Sequence, residues 1–122
     1  MTRARRSAEQ RGRLAETIAA LFLFAKGYRI LGQRLRTPFG EVDLAALKNG
    51  TLVIVEVKAR ATYDSGAYAV TPNAQQRIAR AASVLAGRWR LTNLPMRFDL
   101  VVIGSGLLPR HERGAWFVDR IG

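Results

Sequence analysis

Apolar residues first recur with the period of a helix. Leu14, Ile18, Leu21 and Ala25 share one stripe, widened by Ala15, Ala19, Phe22 and Leu23, and Glu16 is the only ionisable residue between Arg13 and Lys26. Ser7 and Gln10 have capping-box spacing, which makes residues 1–6 a flexible basic arm, and Gly27 marks the helix end. The period then shortens. Tyr28 to Arg36 alternates unevenly, as a strand does, and Thr37-Pro38-Phe39-Gly40 forms a turn. Two further strand-like runs flank Asn49-Gly50, the dipeptide that suits a two-residue hairpin turn with positive φ at both central positions. A loop-like stretch from Ala61 to Ala69 follows, placed beside the charged strand end where it could clamp a substrate. Beyond it, Thr71 as N-cap and Pro72 at the first helical position begin a second helix, with Ile78, Ala82, Leu85 and Trp89 as its buried stripe. Phe98 to Ile103 is a strand that a helical crossover should set parallel to Thr51–Arg60. Gly104-Ser105-Gly106 turns the chain, and Ala115 to Val118 reads as an added edge strand. The order α-β-β-β-α-β, with that extra C-terminal strand, predicts an α/β fold: one domain over residues 1–122, its mixed sheet flanked by helices.

The hairpin register follows from its turn. With Asn49 and Gly50 as the only loop residues, Lys48 pairs with Thr51, and stepping outward places Asp43 opposite Glu56 and Glu41 opposite Lys58 on one face. Val42, Leu44 and Ala46, with Val57, Val55 and Val53, form the apolar face. Like charges directly opposite on a sheet repel across about 4.5–5.5 Å between Cβ atoms. A divalent cation held by both carboxylates would offset that repulsion, and Mg²⁺ commonly uses one or two carboxylates together with water and phosphate oxygens. Lys58 would sit one step along, where an ammonium can orient water or stabilise charge developing on phosphorus.

Composition adds a partner. Twenty Lys and Arg against nine Asp and Glu give a net charge of +11 and a pI near 11.5, which points to a polyanion, nucleic acid ahead of an acidic membrane surface. Seventeen of the twenty are Arg, a bias that suits bidentate phosphate contact but that GC-rich coding would also produce. There is no cysteine, which excludes disulfides and thiol chemistry and fits a reducing compartment. No apolar run is long enough to predict a membrane span. His111, the single histidine, lies between Arg110 and Glu112 and reads as a surface residue in a turn. No phosphate-binding glycine loop or Ser/His nucleophile pair is present.

Gly40-Glu41-Val42-Asp43-Leu44, Val55-Glu56-Val57-Lys58-Ala59-Arg60, Lys26-Gly27-Tyr28 and Arg97-Phe98-Asp99, in that spacing over roughly residues 11–103, resemble the YraN/UPF0102 family. Asp43 with Glu56-Val57-Lys58 is also similar to the acidic signature of the PD-(D/E)xK, restriction-endonuclease-like superfamily and its archaeal Holliday-junction resolvases. The resemblance implies a bacterial cytoplasmic nuclease that uses Mg²⁺ or Mn²⁺. Asp43, Glu56 and, from the first helix, Glu16 would be the metal ligands, Lys58 the further catalytic group and Glu41 a supporting one. Arg60 and the helix residues Gln75, Arg77 and Arg80 would face nucleic acid, DNA ahead of RNA, although the family's Lys near Ala74 is absent here. A junction substrate would call for a homodimer with two sites. Read from the residues alone, Glu16 is equally an exposed partner of Arg13, Glu41 could hold Lys58 in place, and Asp99 serves the fold by pairing with Arg97. The competing reading of the whole is a non-catalytic nucleic-acid-binding module. A third takes the basic arm and apolar helix as a docking element for a protein or an anionic membrane surface.

Overall fold

The computed structural model describes residues 3–61 and 70–118, with side chains from residue 9 onward. Met1, Thr2 and the loop bearing Tyr63, Asp64, Ser65, Gly66 and Tyr68, the clamp candidate, lie outside the described residues. The elements are α1 (Arg3–Ala25), β1 (Arg29–Thr37), β2 (Gly40–Lys48), β3 (Thr51–Ala59), α2 (Pro72–Arg88), β4 (Met96–Ile103) and β5 (Pro109–Trp116). The five strands form one sheet in the order β1-β2-β3-β4-β5, with β3 and β4 parallel and the other neighbours antiparallel.

Each face of the sheet carries one helix. Leu44, Ala46, Val53, Val55, Val101 and Ile103 pack with Ala15, Ala19, Ala20 and Leu23 of α1. On the opposite face Ala45, Leu52, Ile54, Leu100 and Val102 pack with Ile78, Ala82 and Leu85 of α2. β3 and β4 are therefore covered on both sides, which is why their sequences are apolar almost without alternation. At the hairpin turn Asn49 has φ 50° and Gly50 φ 73°, as a turn matched to the twist of its strands requires.

α1 departs from its expected form at one end and keeps it at the other. It begins at Arg3, so Arg3 to Arg6 are helical and the Ser7–Gln10 spacing lies inside the helix rather than at its cap. Ala, Arg, Glu and Gln through this stretch are good helix formers and nothing in it stops the helix. Its C-terminus closes as a Schellman motif: Tyr28 N–H donates to Leu23 O (3.0 Å), Gly27 N–H to Phe24 O (3.0 Å), and Gly27 adopts φ 90°. The buried arc is also rotated from the expected one. Ala15, Ala19 and Leu23 are buried, while Leu14, Leu21 and Phe24 are 48%, 63% and 69% exposed. A helix apolar over more than half its circumference does not fix its rotation by periodicity, and the alanine arc lets it lie closer to the sheet.

α2 begins as expected. Thr71 Oγ1 accepts from Ala74 N–H (3.2 Å) with Pro72 in the first turn, and Trp89 is the one half-buried member of the predicted stripe. Thr71→Ala is expected to cost about 1 kcal/mol, the usual value of an N-cap hydroxyl, measured by urea denaturation. β5 starts at Pro109, well before Ala115, so His111 lies in a strand. As an edge strand it tolerates the polar run Arg110–Arg113 that reads as a turn in sequence.

Candidate active site at the open end of the hairpin

β2 and β3 stay in register from Lys48↔Thr51 to Leu44↔Val55, and the backbone ladder stops there. At the next step Val57 N–H donates to Asp43 Oδ2 (2.8 Å), so a side-chain carboxylate takes the place of a ladder carbonyl. The strands open at this point. Val42 packs in the α2 cluster although Leu44 and Ala46 pack against α1, which corrects the continuous Val42-Leu44-Ala46 face expected from simple alternation. In β1, beside Asp43, Arg34 adopts φ 52°, a left-handed conformation uncommon for a residue with a Cβ. The Val57 amide holds Asp43 across the end of the hairpin.

Asp43 and Glu56 come together as the hairpin register requires. Burial pushes the Glu56 carboxyl up to about 8, helped by a hydrogen-bonding contact with Asp43 and by that neighbour's negative charge; the positive charges of Lys58 and Arg77 oppose the shift. Lys58 Nζ lies 3.7 Å from Glu56 Oε1, the Glu56 side chain mostly buried and that of Lys58 half-buried. Glu56 and Lys58 project to the α2 face by alternation from Ile54.

Glu16 approaches from α1 on the other side. Its carboxyl is raised by burial and by the charges of Asp43 and Glu41, while Arg34 pulls it down. Arg34 Nε donates to Glu16 Oε1 at 2.7 Å, so the partner is Arg34 in β1, not Arg13. Glu41 is exposed and pairs with Arg36 (3.4 Å), while Lys58 turns to Glu56; the expected Glu41–Lys58 pair does not form. Divergence of the strands beyond Leu44 separates that pair.

The polar residues of α2 have structural partners. Arg77 Nη1 donates to Phe39 O (3.3 Å) and Glu41 O (3.4 Å), clasping the β1–β2 turn. Gly40, at φ 109°, leaves room for it: a Cβ there would lie 2.6 Å from that nitrogen. Gln75 Nε2 donates to Val70 O (3.0 Å), and Arg80 is exposed on the same helix. Arg60, just past β3, donates from Nη1 to Ala59 O (3.0 Å). Among the described residues no three His, Asp or Glu side chains are grouped so as to hold a metal ion; Glu16 bonds Arg34 and feels the charge of Asp43.

A sequence model of the Uncharacterised protein family UPF0102 matches residues 15–103. The chain belongs to this family. Among its relatives, a UPF0102 protein of Maricaulis maris (strain MCS10) is 50% identical over 117 residues, 95% of this chain and 92% of its own length. A UPF0102 protein of Rhodopseudomonas palustris (strain BisA53) is 52% identical over 105 residues, 82% and 78%. One of Caulobacter vibrioides (strain NA1000 / CB15N) is 50% identical over 111, 90% and 89%. The stretch matched by the UPF0102 model contains Glu16, Asp43, Glu56, Lys58 and Asp99 and ends before His111. Among the described residues no helix is long and apolar enough to cross a membrane.

A second acidic centre of this UPF0102 chain lies on the α1 face. Asp99, fully buried, accepts from Arg97 Nε and Nη2 (2.8 Å each), from Gly114 N–H (2.9 Å) and from His111 Nε2 (2.8 Å). Arg97 Nη2 also donates to the Tyr28 hydroxyl (2.6 Å), and Lys26 Nζ donates to His111 Nδ1 (2.7 Å). The expected Asp99–Arg97 pair is present. His111, by contrast, has a side chain only 2% exposed and is no surface residue. The charges of Arg110 and Glu112 on either side of it hide this in the sequence.

Proposed function

We propose that the chain is a metal-dependent nuclease that hydrolyses phosphodiester bonds in DNA, including branched intermediates of repair and recombination. The observation that carries this reading is the Asp43–Glu56 pair, two carboxylates gathered where the strands part, one with its pKa raised to about 8, beside an ammonium. Packing two acids together costs stability, and such raised values concentrate where chemistry needs them. The donor set fits a hard divalent ion: oxygen ligands, partly buried, with one Asp43 oxygen already oriented by Val57 N–H. Asp43 and Glu56 would hold Mg²⁺ or Mn²⁺, which when bound activates water and neutralises charge gathering on phosphorus. Glu16 would join them on release from Arg34. Lys58 would hold the attacking water or donate a hydrogen bond to a non-bridging oxygen as its charge grows. Arg77 braces the turn that carries Glu41 and Asp43. The net charge of +11 supplies attraction independent of sequence, so binding should weaken steeply as salt rises.

A second reading, a non-catalytic module that binds nucleic acid, is favoured by the Glu16–Arg34 bond, which engages a candidate ligand in an ion pair. Cleavage of labelled single-stranded, duplex, flap and four-way-junction DNA, and of matched RNA, separates the two when run with Mg²⁺, Mn²⁺ or EDTA. Products are expected from the parent with metal only, falling by about 10²–10³-fold in Glu56→Gln and Lys58→Met. Binding of these substrates without products under any metal would overturn the nuclease reading.

A further inference from the structure

We infer that the cavity between α1 and the ends of β3 and β4 receives one unpaired nucleotide, its base against the apolar wall and its phosphate on Arg11 and Arg60. The inference rests on the nucleic-acid reading above and specifies its substrate class: DNA with an unstacked or single-stranded nucleotide beside the bond to be cut, in preference to uninterrupted duplex.

The cavity measures about 270 Å³, and its walls include Leu14 and Ala15 of α1, Ile103 of β4 and Leu107 from the turn that follows, with Arg11 and Arg60 at its edge. That volume lies just under the range of sites for drug-sized ligands, which suits a single planar base. Its chemistry is divided as a nucleotide is divided, into an apolar surface and a cationic one. Among the described residues neither Arg11 nor Arg60 has a carboxylate partner, and the bond described for Arg60 goes to the adjacent Ala59 carbonyl. Aliphatic walls and guanidinium planes accept any base face, which predicts a preference for unpaired structure rather than for sequence.

Two independent features mark the wall as a contact surface. Leu14 is 48% exposed and Leu107 51% exposed, so both leave apolar area open beside the cavity. Leu107 also adopts φ 63°, a left-handed conformation that is costly for leucine and that collects at binding sites. Chain continuity links the cavity to the acidic centre through the end of β3. Arg60 follows Lys58 by two residues and Glu56 by four, roughly 7 and 13 Å along an extended chain. The cavity opens on the α1 face and Glu56 and Lys58 face α2, so a strand with one nucleotide seated here would reach the carboxylates by passing round the end of β3 beside Arg60.

The test is binding in EDTA, so that cleavage does not enter. Anisotropy compares a blunt duplex with a duplex of equal nucleotide count carrying an unpaired 3′ run, and 2-aminopurine in that run reports its environment. The parent is expected to bind the overhang probe about tenfold more tightly, the scale of one stacked base, with a change in 2-aminopurine emission. Leu14→Glu and Leu107→Asp, both at exposed positions, should each bring the overhang probe to the blunt-duplex affinity. Arg90→Asn, a remote charge control, should weaken both probes by one small common factor. Equal affinity of the parent for the two probes, or a preference that survives both leucine substitutions, overturns the proposal. A parent protein that shows no preference yet cleaves removes the pocket and leaves the nuclease reading; a parent that shows the preference, abolished by the leucine substitutions, yet cleaves nothing does the reverse. If neither probe binds, both readings fall.

Discussion

Asp43→Asn is expected to make the chain more stable in mild alkali while removing metal-dependent cleavage. In the folded parent the Glu56 carboxyl holds its proton up to pH about 8, against 4.5 for an ordinary glutamate, because burial and Asp43 both oppose its charge. Between those values the folded chain binds more protons than the unfolded one. Stability from this group is therefore complete below pH 4.5 and is lost as pH rises through 8. Each tenfold difference in proton affinity between the folded and unfolded chain is worth about 1.4 kcal/mol, so the parent should lose roughly a few kcal/mol by pH 9, or about 10 °C in melting temperature. The amide that replaces the Asp43 carboxylate keeps an oxygen to accept the Val57 N–H but carries no charge. Glu56 should then ionise nearer its ordinary range, and the pH dependence should flatten. Added Mn²⁺ distinguishes the cause. In the parent it should raise the melting temperature more at pH 8.5, where the pair has lost its proton, than at pH 6, and in Asp43→Asn it should do little at either. Thermal melts across pH 6–9 with and without Mn²⁺ measure all of this. The same pH slope in parent and variant would mean that Asp43 does not set the Glu56 titration.

The hairpin and its acids were legible because local chemistry determined them. Asn49-Gly50 admits few turns, a two-residue turn fixes the pairing outward from Lys48 and Thr51, and Asp43 then has to approach Glu56. Thr71-Pro72 likewise locates the start of α2 without reference to anything distant. What could not be read depends on contacts remote in sequence. The ladder ends where Asp43 captures the Val57 amide, and the left-handed turn of Arg34 in the neighbouring strand has no local mark in the sequence. The Glu16 partner lies on a different element, and α1, apolar on so many sides, left its buried arc to be chosen by the close fit of Ala15 and Ala19 on the sheet. His111 is hidden by its neighbours' charges. Its burial goes with Asp99, whose requirement for donors is met only when β4 and β5 are assembled.

That requirement gives Asp99 an outcome opposite to that of Asp43. Burial alone would raise the Asp99 pKa, but hydrogen bonds from Arg97, His111 and the Gly114 amide outweigh it and hold it at about 2, below the ordinary 3.8. Its stabilisation is present above pH 4 and is lost as pH falls through about 2. An asparagine at this position would keep the shape but offer one acceptor oxygen where the carboxylate has two, and would turn an NH₂ group toward cations. Breaking such a buried centre from one side costs about 3–5 kcal/mol, so Asp99→Asn is expected to lower the melting temperature by roughly 10–20 °C at pH 7. Asp99 lies on the α1 face with Val101 and Ile103, whereas Glu56 and Lys58 face α2, so the sheet separates the two centres. Cleavage per folded molecule, assayed well below the melting transition, should therefore remain near the parent level. Asp43→Asn should be folded and inactive, Asp99→Asn fragile and active. An Asp99→Asn protein that melts like the parent but no longer cleaves would move Asp99 into the active site and assign His111 and Lys26, bonded behind it, to the chemistry as well.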